Sequence, residues 1–480
     1  MKTTLVSRDE NLLAKGIIKM MFNVLDYGAK ADAITLDSPA VQKAVDACSE
    51  NGGGTVYFPK GIYVLATVFL KDNVHIKFED GTDILGSLDF YSYEQQEEID
   101  YPMYQDASHS YFNLAMFVGI NCNNISITGK ARIDMRSVWD EDGVRGEEIR
   151  HRGPKCISLK ECNNVLLSDL DINNVTDLAI YFAGCNDVDI HDIKMCVYID
   201  GISPDNSKNV KIYNCDVEAG DDGIVFKSSY TLNRLDVCRN IKVWNCRVKS
   251  RCSAIKFGTE TNGGFYDIEL NNIDVYETRI TAIAIESVDG AIIDGLTIKD
   301  VRIKNTNGLL FVHLGQRMRG PEGREIGEIR NVTLENITAE GPYEPYMCIP
   351  SSYFAYKANN YIQYPWMFGT KAEDPENIKE KGRYTGWQLS SNVCGLKDKP
   401  LKNITLRNVH FKVAGGVKEY KREVPDVAPE YPEIMVYGKV LPAKGIYFRH
   451  VEGLLVDNVT VESYMPDARE DFVFEDVTFR

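Results

Sequence analysis

From residue 120 onward one short phrase recurs: a polar turn leading into residues that alternate apolar and polar. It reads "NNISITG", "NDVDIHDI", "KNVKIYNCDV", "RNIKVWNCRV", "RNVTLENI" and "KNITLRNV", among others. The first apolar residue of each phrase falls at Ile125, Val165, Val188, Val210, Ile241, Ile268, Leu296, Val332, Ile404 and Leu454. The closest intervals are 23 and 22 residues. Periods in the low twenties with short strands and Asn-rich turns predict a parallel β-solenoid, in which each coil pairs with the next. A leucine-rich repeat has a similar period but needs a Leu consensus that is absent, and β-branched residues dominate these segments. The expected fold is therefore all-β: a right-handed parallel β-helix. The Asn of "YNC" and "WNC" (Asn214, Asn245) belongs at bends, where Asn tolerates a left-handed backbone, and Cys215 and Cys246 then stack inside.

Before the repeat, "SPAVQKAVDACSENGGGTVYFPKGIYV" predicts an amphipathic helix from about Pro39 to Glu50, stopped by Gly52 to Gly54 and followed by a strand. Such a helix closes the first coil, whose backbone is otherwise unpaired. The expected organisation is a tail over 1–20 and one catalytic β-helix domain over 21–480. Within that domain the N-terminal cap occupies about 21–75, and an aromatic-rich insertion about 341–400 dilutes the repeat. The insertion's Tyr343, Tyr346, Tyr353, Trp366 and Trp387 favour a packed lobe, with sugar contact as the second reading.

With 44% apolar and 26% charged residues, the chain has ample material for a core. Its net charge of −16 argues against nucleic acid and anionic membranes as partners, since either requires a basic face. Charges at Arg8, Asp9, Glu10 and Lys15 interrupt every apolar run near the start, so a signal-peptide core is not expected and a cytoplasmic location is. The twelve cysteines form no CxxC pair or Cys/His cluster, which predicts free thiols, no metal site and no cofactor.

Within "GDDGIVFKSS", Gly220 to Ser229, two carboxylates stand side by side. "DGI" occurs at Asp200-Gly201-Ile202 and again at Asp222-Gly223-Ile224, 22 residues on, which is one coil. Asp200 and Asp222 are therefore expected to stack about 4.8 Å apart with Asp221 beside them. Crowding three carboxylates raises at least one pKa, and acid/base chemistry needs carboxyl groups in opposite protonation states. Gly after each Asp leaves room for a ligand to approach. Glycoside hydrolysis suits paired carboxyl groups, although stacking alone does not choose between inversion and retention. Lys227 and Lys256 are expected to neutralise the cluster or bind substrate oxygens. Glu260 in "GTETNGG" is either a hydroxyl ligand or a solvated turn carboxylate. In "FVHLGQRMRG", His313 and Arg317 lie near a coil end as binding residues or plain surface.

The opening "FNVLDYGAKADAITLDSPAVQKAVDACSENGGGTVYFPKGIYV" and the central "DGISPDNSKNVKIYNCDVEAGDDGIVFKS" resemble family 28 glycoside hydrolases, the polygalacturonase-like group. Members carry Asn-Thr-Asp-Gly followed by Gly-Asp-Asp, which matches Asp200 to Asp221. The resemblance implies an inverting hydrolase in which Asp221 is the general acid and Asp200 with Asp222 activates water. This chain departs from the pattern at Tyr198 and Ile199. It also has Cys252 where the family has a His, and Ala284, Ile285 and Glu286 where an Arg-Ile-Lys grips a uronate carboxylate. The catalytic carboxylates match and the specificity residues do not. The expected substrate is thus a pectin-related or other plant-type oligosaccharide, cleaved from an end of short chains, with Glu286 suited to a neutral sugar. A polysaccharide lyase and a non-catalytic carbohydrate-binding solenoid are the alternatives, and the oligomeric state stays open.

Overall fold

The computed structural model describes residues 20–140, 142, 152–341, 389–438 and 440–480. The N-terminal tail and most of the aromatic-rich insertion lie outside the described residues. The expected helix spans Ser38–Glu50 (α1), with Pro39 in its first turn and Val41, Ala44, Val45 and Cys48 buried. Its apolar face joins the first coils to one hydrophobic core that runs from Phe22 to Val461.

Among the described residues the strands after α1 pair in parallel, and one isolated antiparallel bridge joins Leu396 to Lys399. The marker residues form one continuous inward column: Ile125, Val165, Val188, Val210, Ile241, Ile268, Leu296, Val332 and Ile404 pair in that order. All are buried. This is a right-handed parallel β-helix, and its pairing register makes each coil the template of the next. At the bends Asn209, Asn214, Asn240 and Asn245 adopt φ of 55°, 54°, 54° and 55°. Their side-chain amides form ladders, with Asn209 donating to Asn186 at 2.8 Å and Asn245 to Asn214 at 3.3 Å. Asn serves here because its short amide tolerates the left-handed region and bonds locally. Cys215 and Cys246 are buried beside these bends, and the eleven cysteines among the described residues are free thiols. Among the described residues no helix is long and apolar enough to cross a membrane.

One face of the solenoid positions the site. Eight of its successive strands are β1 (Ile180–Ala183), β2 (Ile202–Asp205), β3 (Ile224–Ser228), β4 (Ser253–Thr261), β5 (Thr281–Ser287), β6 (Gly308–Leu314), β7 (Ser391–Cys394) and β8 (Ala443–Met465). Their inward column includes Ile202, Ile224, Ile255 and Ile283, and the Phe226 and Phe257 rings stack 4.5 Å apart. Because side chains alternate along a strand, two outward columns follow. The first runs Tyr181, Ser203, then Val225, Lys256, Ala284, Phe311, Asn392 and Tyr447. The second pairs Ala183 with Asp205, Asp205 with Lys227, and further on Glu286 with His313 and His313 with Cys394. The segment 416–442, before β8, folds back over this face. Its Ile434, Tyr437 and Leu441 pack with Ala284 and Phe311.

Candidate active site

The three aspartates stand at the turns that lead into β2 and β3. Asp200 and Asp222 occupy the same place in consecutive coils: the Asp222 N–H donates to Asp200 Oδ1 at 3.2 Å, and the Ser253 N–H donates to Asp222 Oδ1 at 3.1 Å. Each carboxylate is thus oriented by the backbone of the coil that follows it. Asp221 is half-buried in the turn, and its carbonyl accepts from the Ser250 hydroxyl. Gly201 and Gly223 serve a different purpose from the ligand access their sequence positions suggest. A Cβ on Gly201 would lie 2.5 Å from Val217 Cγ1, and one on Gly223 2.3 Å from Val248 Cγ1. Both glycines make room for the solenoid interior.

Two lysines lie against these carboxylates. Lys227 Nζ is 3.8 Å from Asp200 and 3.0 Å from Glu260, and Lys256 Nζ is 3.4 Å from Asp222. Glu260 reaches Lys227 because β4 bulges: Phe226 faces Phe257, but Ser228 faces Thr261, so extra residues swing outward between them. Glu260 is 2% exposed and also accepts from Arg319 Nη2 at 2.7 Å, so it is no solvated turn. Burial works against every charge here, and the pairings decide which survive. Burial opposes the charged forms of Lys227 and Lys256, yet Glu260 for the first and Asp222 for the second hold them above the usual lysine range. Glu260 is likewise desolvated but is driven well below the ordinary carboxylate range by Lys227. Burial pushes Asp200 up to about 6 against the pull of Lys227. Asp221 goes well above the usual value, first through burial and then through Asp222 and Asp200. The cluster therefore holds carboxyl groups of unequal proton affinity beside fixed cations.

Further along the face Glu286 is fully buried, and among the described residues neither of its oxygens has a hydrogen-bond partner. Burial raises its pKa well above the ordinary value, with Lys256 opposing. His313 faces Glu286 in register, but its ring stacks on Phe311 and its Nδ1 meets the Tyr437 hydroxyl at 2.9 Å, which anchors it under the 416–442 segment. Arg317 bonds Asp289 at 2.9 Å through Nε and the Thr259 carbonyl at 2.8 Å, and it lies 5.7 Å from the centre of the Tyr431 ring. Cys252 sits beside the aspartates: its Sγ and one oxygen each of Asp221 and Asp222 lie within 4.8 Å of one another. Those atoms are the donors a cation would use, although Lys256 already supplies positive charge to Asp222. Burial raises the Cys252 thiol well above its ordinary value, so it is no thiolate ligand or base on its own.

Several central residues come from outside the periodic pattern or were not singled out in it. Asp205 pairs in register with Lys227, accepts the Ser229 N–H at 2.9 Å and is pushed by burial up to about 6. Its 22-residue offset from Lys227 is the same rung signal that links the aspartates. His109 is 2% exposed, and its Nε2 has no partner among the described residues. Burial and then Lys227 lower its pKa to about 4. Glu433 enters from the 416–442 segment, 3.7 Å from Lys256. No spacing in the sequence points to His109 or Glu433. Among the described residues the hydroxyls of Ser203, Ser253 and Thr281 and the Oδ1 of Asn392 are also without a protein partner, and being fully buried they lie beneath this face and not on it.

Known proteins resemble this chain in sequence and in fold. A curated exo-poly-α-D-galacturonosidase of Dickeya chrysanthemi is 23% identical over 60% of this chain, and the match spans 56% of that relative's length, less than two thirds. A Vitis vinifera protein named "Probable polygalacturonase" is 23% identical over 84% of this chain and 77% of its own. The solved structure of a Yersinia enterocolitica family 28 exopolygalacturonase superposes with a TM-score of 0.66 at 17% identity. That superposition covers 95% of this chain and 78% of that one. The model for glycosyl hydrolases family 28 matches residues 48–341, well over half of the sequence, and the chain belongs to that family.

Proposed function

We propose that this protein is an inverting glycoside hydrolase that cleaves pectin-related oligosaccharides from a chain end, with Asp221 as general acid and Asp200 with Asp222 activating water. The carrying observation is the set of three carboxyl groups in consecutive turns with unequal proton affinities, beside two lysines held as cations. A general acid has to keep its proton and a base has to lose it, and this environment separates the two tasks. A lyase would need a neutral amine or an unpaired Arg as base. Lys227 and Lys256 are pinned in their charged forms by Glu260, Asp200 and Asp222, which favours hydrolysis.

Substrate preference follows from Glu286. Glu286 is fully buried, so it bears on a substrate from behind the site: a uronate carboxylate there would lie near another carboxyl group, whereas a neutral sugar would not. The reading is therefore a substrate with a neutral sugar at this position, and the names of the Dickeya and Yersinia relatives add support for action at chain ends. A panel of polygalacturonate, oligogalacturonates and oligosaccharides ending in neutral sugars, assayed for reducing-sugar release, tests this. Release from short neutral-ended members, weakened by Glu286→Ala, is expected. An early viscosity drop with polygalacturonate would sink the end-acting reading. A retained anomer by product NMR would sink inversion. A chelator should leave the rate unchanged, and loss restored by calcium would return the lyase alternative.

A further inference from the structure

The 416–442 segment lies outside the stretch 48–341 that the family shares. It is nevertheless fastened to the active face at several points. Ile434 and Tyr437 pack on Phe311, the Ile434 carbonyl accepts from Asn392 Nδ2 at 3.2 Å, and the Tyr437 hydroxyl meets His313 Nδ1. Between the exposed Tyr431 ring and these anchors stands Glu433, its side chain 14% exposed. Glu433 Oε1 lies 3.7 Å from Lys256 Nζ and accepts weakly from Cys252 Sγ at 3.9 Å.

Lys256 therefore has carboxyl groups on two sides, Asp222 at 3.4 Å on the solenoid and Glu433 at 3.7 Å on the returning segment, and although burial raises the pKa of Glu433, Lys256 opposes that shift. We propose that Glu433 is a positioning residue of the reaction centre: it shares the Lys256 ammonium with Asp222, so that Asp222 is not locked into a closed ion pair and keeps an oxygen for the attacking water. An ammonium has three N–H donors and can serve two carboxylates at once. A carboxylate that holds a cation alone is a poorer base, because the cation favours the ionised form. The other groups near Lys256 do not supply this balance. Among the described residues the ion pairs of Lys256 are with Asp222 and Glu433 and not with Glu286 on β5, Cys252 beside β4 is a buried thiol, and Lys227 has the same sign as Lys256. Asp222 itself also faces Asp200 and Asp221, which repel its charge, and the Ser253 N–H, which it accepts.

The inference rests on the hydrolase reading above, and the test separates the two. With the oligosaccharide that the wild type cleaves fastest in the panel, Glu433→Gln should lower kcat on the order of tenfold while KM changes by less than about threefold, the signature of an interaction spent on the chemical step. Glu433→Asp, which keeps the carboxyl group on a shorter arm, should retain more kcat than Glu433→Gln. Equal thermal midpoints for the three proteins show that the segment is still docked. Should Glu433→Gln unfold, Glu433→Asp against wild type decides: kcat at the wild-type value overturns the proposal, and a lower kcat at level KM supports it. Wild-type kcat in Glu433→Gln overturns it as well. Asp221→Asn, run in parallel, tests the underlying reading: full turnover there removes the hydrolase assignment whatever Glu433 does.

Discussion

Asp221 carries the heaviest chemical demand in this reading, because it has to stay protonated between two other carboxyl groups. Burial and the charges of Asp222 and Asp200 keep its proton on. Asp221→Asn should abolish turnover. Asp200→Asn and Asp222→Asn should each cost at least about a hundredfold, as acid/base groups typically contribute 10² to 10⁴. Wild-type turnover in all three would refute the site. The pH profile has a definite sign as well. Asp200 works as a base only when ionised and titrates at about 6, so kcat/KM should fall as pH drops below about 6. Lys227 lowers that value, so Lys227→Met should move the acid limb to higher pH. A limb that stays put would mean that another group sets it.

At the scale of the coil, the Asn ladders hold the bends in a conformation that most side chains resist. Asn209 sits at φ 55°, donates to Asn186 and accepts from Asn240 at 2.5 Å. Asn209→Ala loses the ladder bonds and adds left-handed strain, which together should cost about 1–3 kcal/mol. Asn209→Gly should cost less, since it loses only the bonds. Urea unfolding of the two variants reads the difference, and equal losses would remove strain from the explanation. The same regularity made much of the site legible. Where a coil has 22 residues, position alone stacks Asp200 on Asp222 and Asp205 on Lys227. Where coils lengthen, counting fails: Lys256, Ala284 and Phe311 share a column that no fixed offset connects. The β4 bulge that turns Glu260 onto Lys227 breaks the alternation on which strand reading depends. Glu433 and His109 reach the site from irregular segments, and only tertiary packing places them.

Across the whole molecule, charge works in one direction. The net charge is −16, while on the active face Asp200, Asp222 and Glu260 stand beside Lys227, Lys256 and Arg319. A polyuronate approaching this face is repelled over a distance set by salt, with a screening length of about 30 Å at 0.01 M and about 10 Å at 0.1 M. KM for oligogalacturonates should therefore fall as salt rises through that range, while KM for a neutral oligosaccharide stays level. A salt-independent KM for the charged substrate would mean that local cations such as Arg317 override the overall field.

The backbone bonds that aim the aspartates also impose an order in time. Asp200 is oriented by the N–H of Asp222 and Asp222 by that of Ser253, each one coil later in the chain. On a ribosome that releases the N-terminus first, a nascent chain carries every candidate catalytic aspartate before the coil that steadies the last of them has emerged. Glu433 arrives 211 residues after Asp222. In the proposed reading the site is thus begun from the N-terminal end and completed from the C-terminal one, and a translation product halted between Ser253 and Glu433 would have the aspartates in place while still lacking the second carboxyl group beside Lys256.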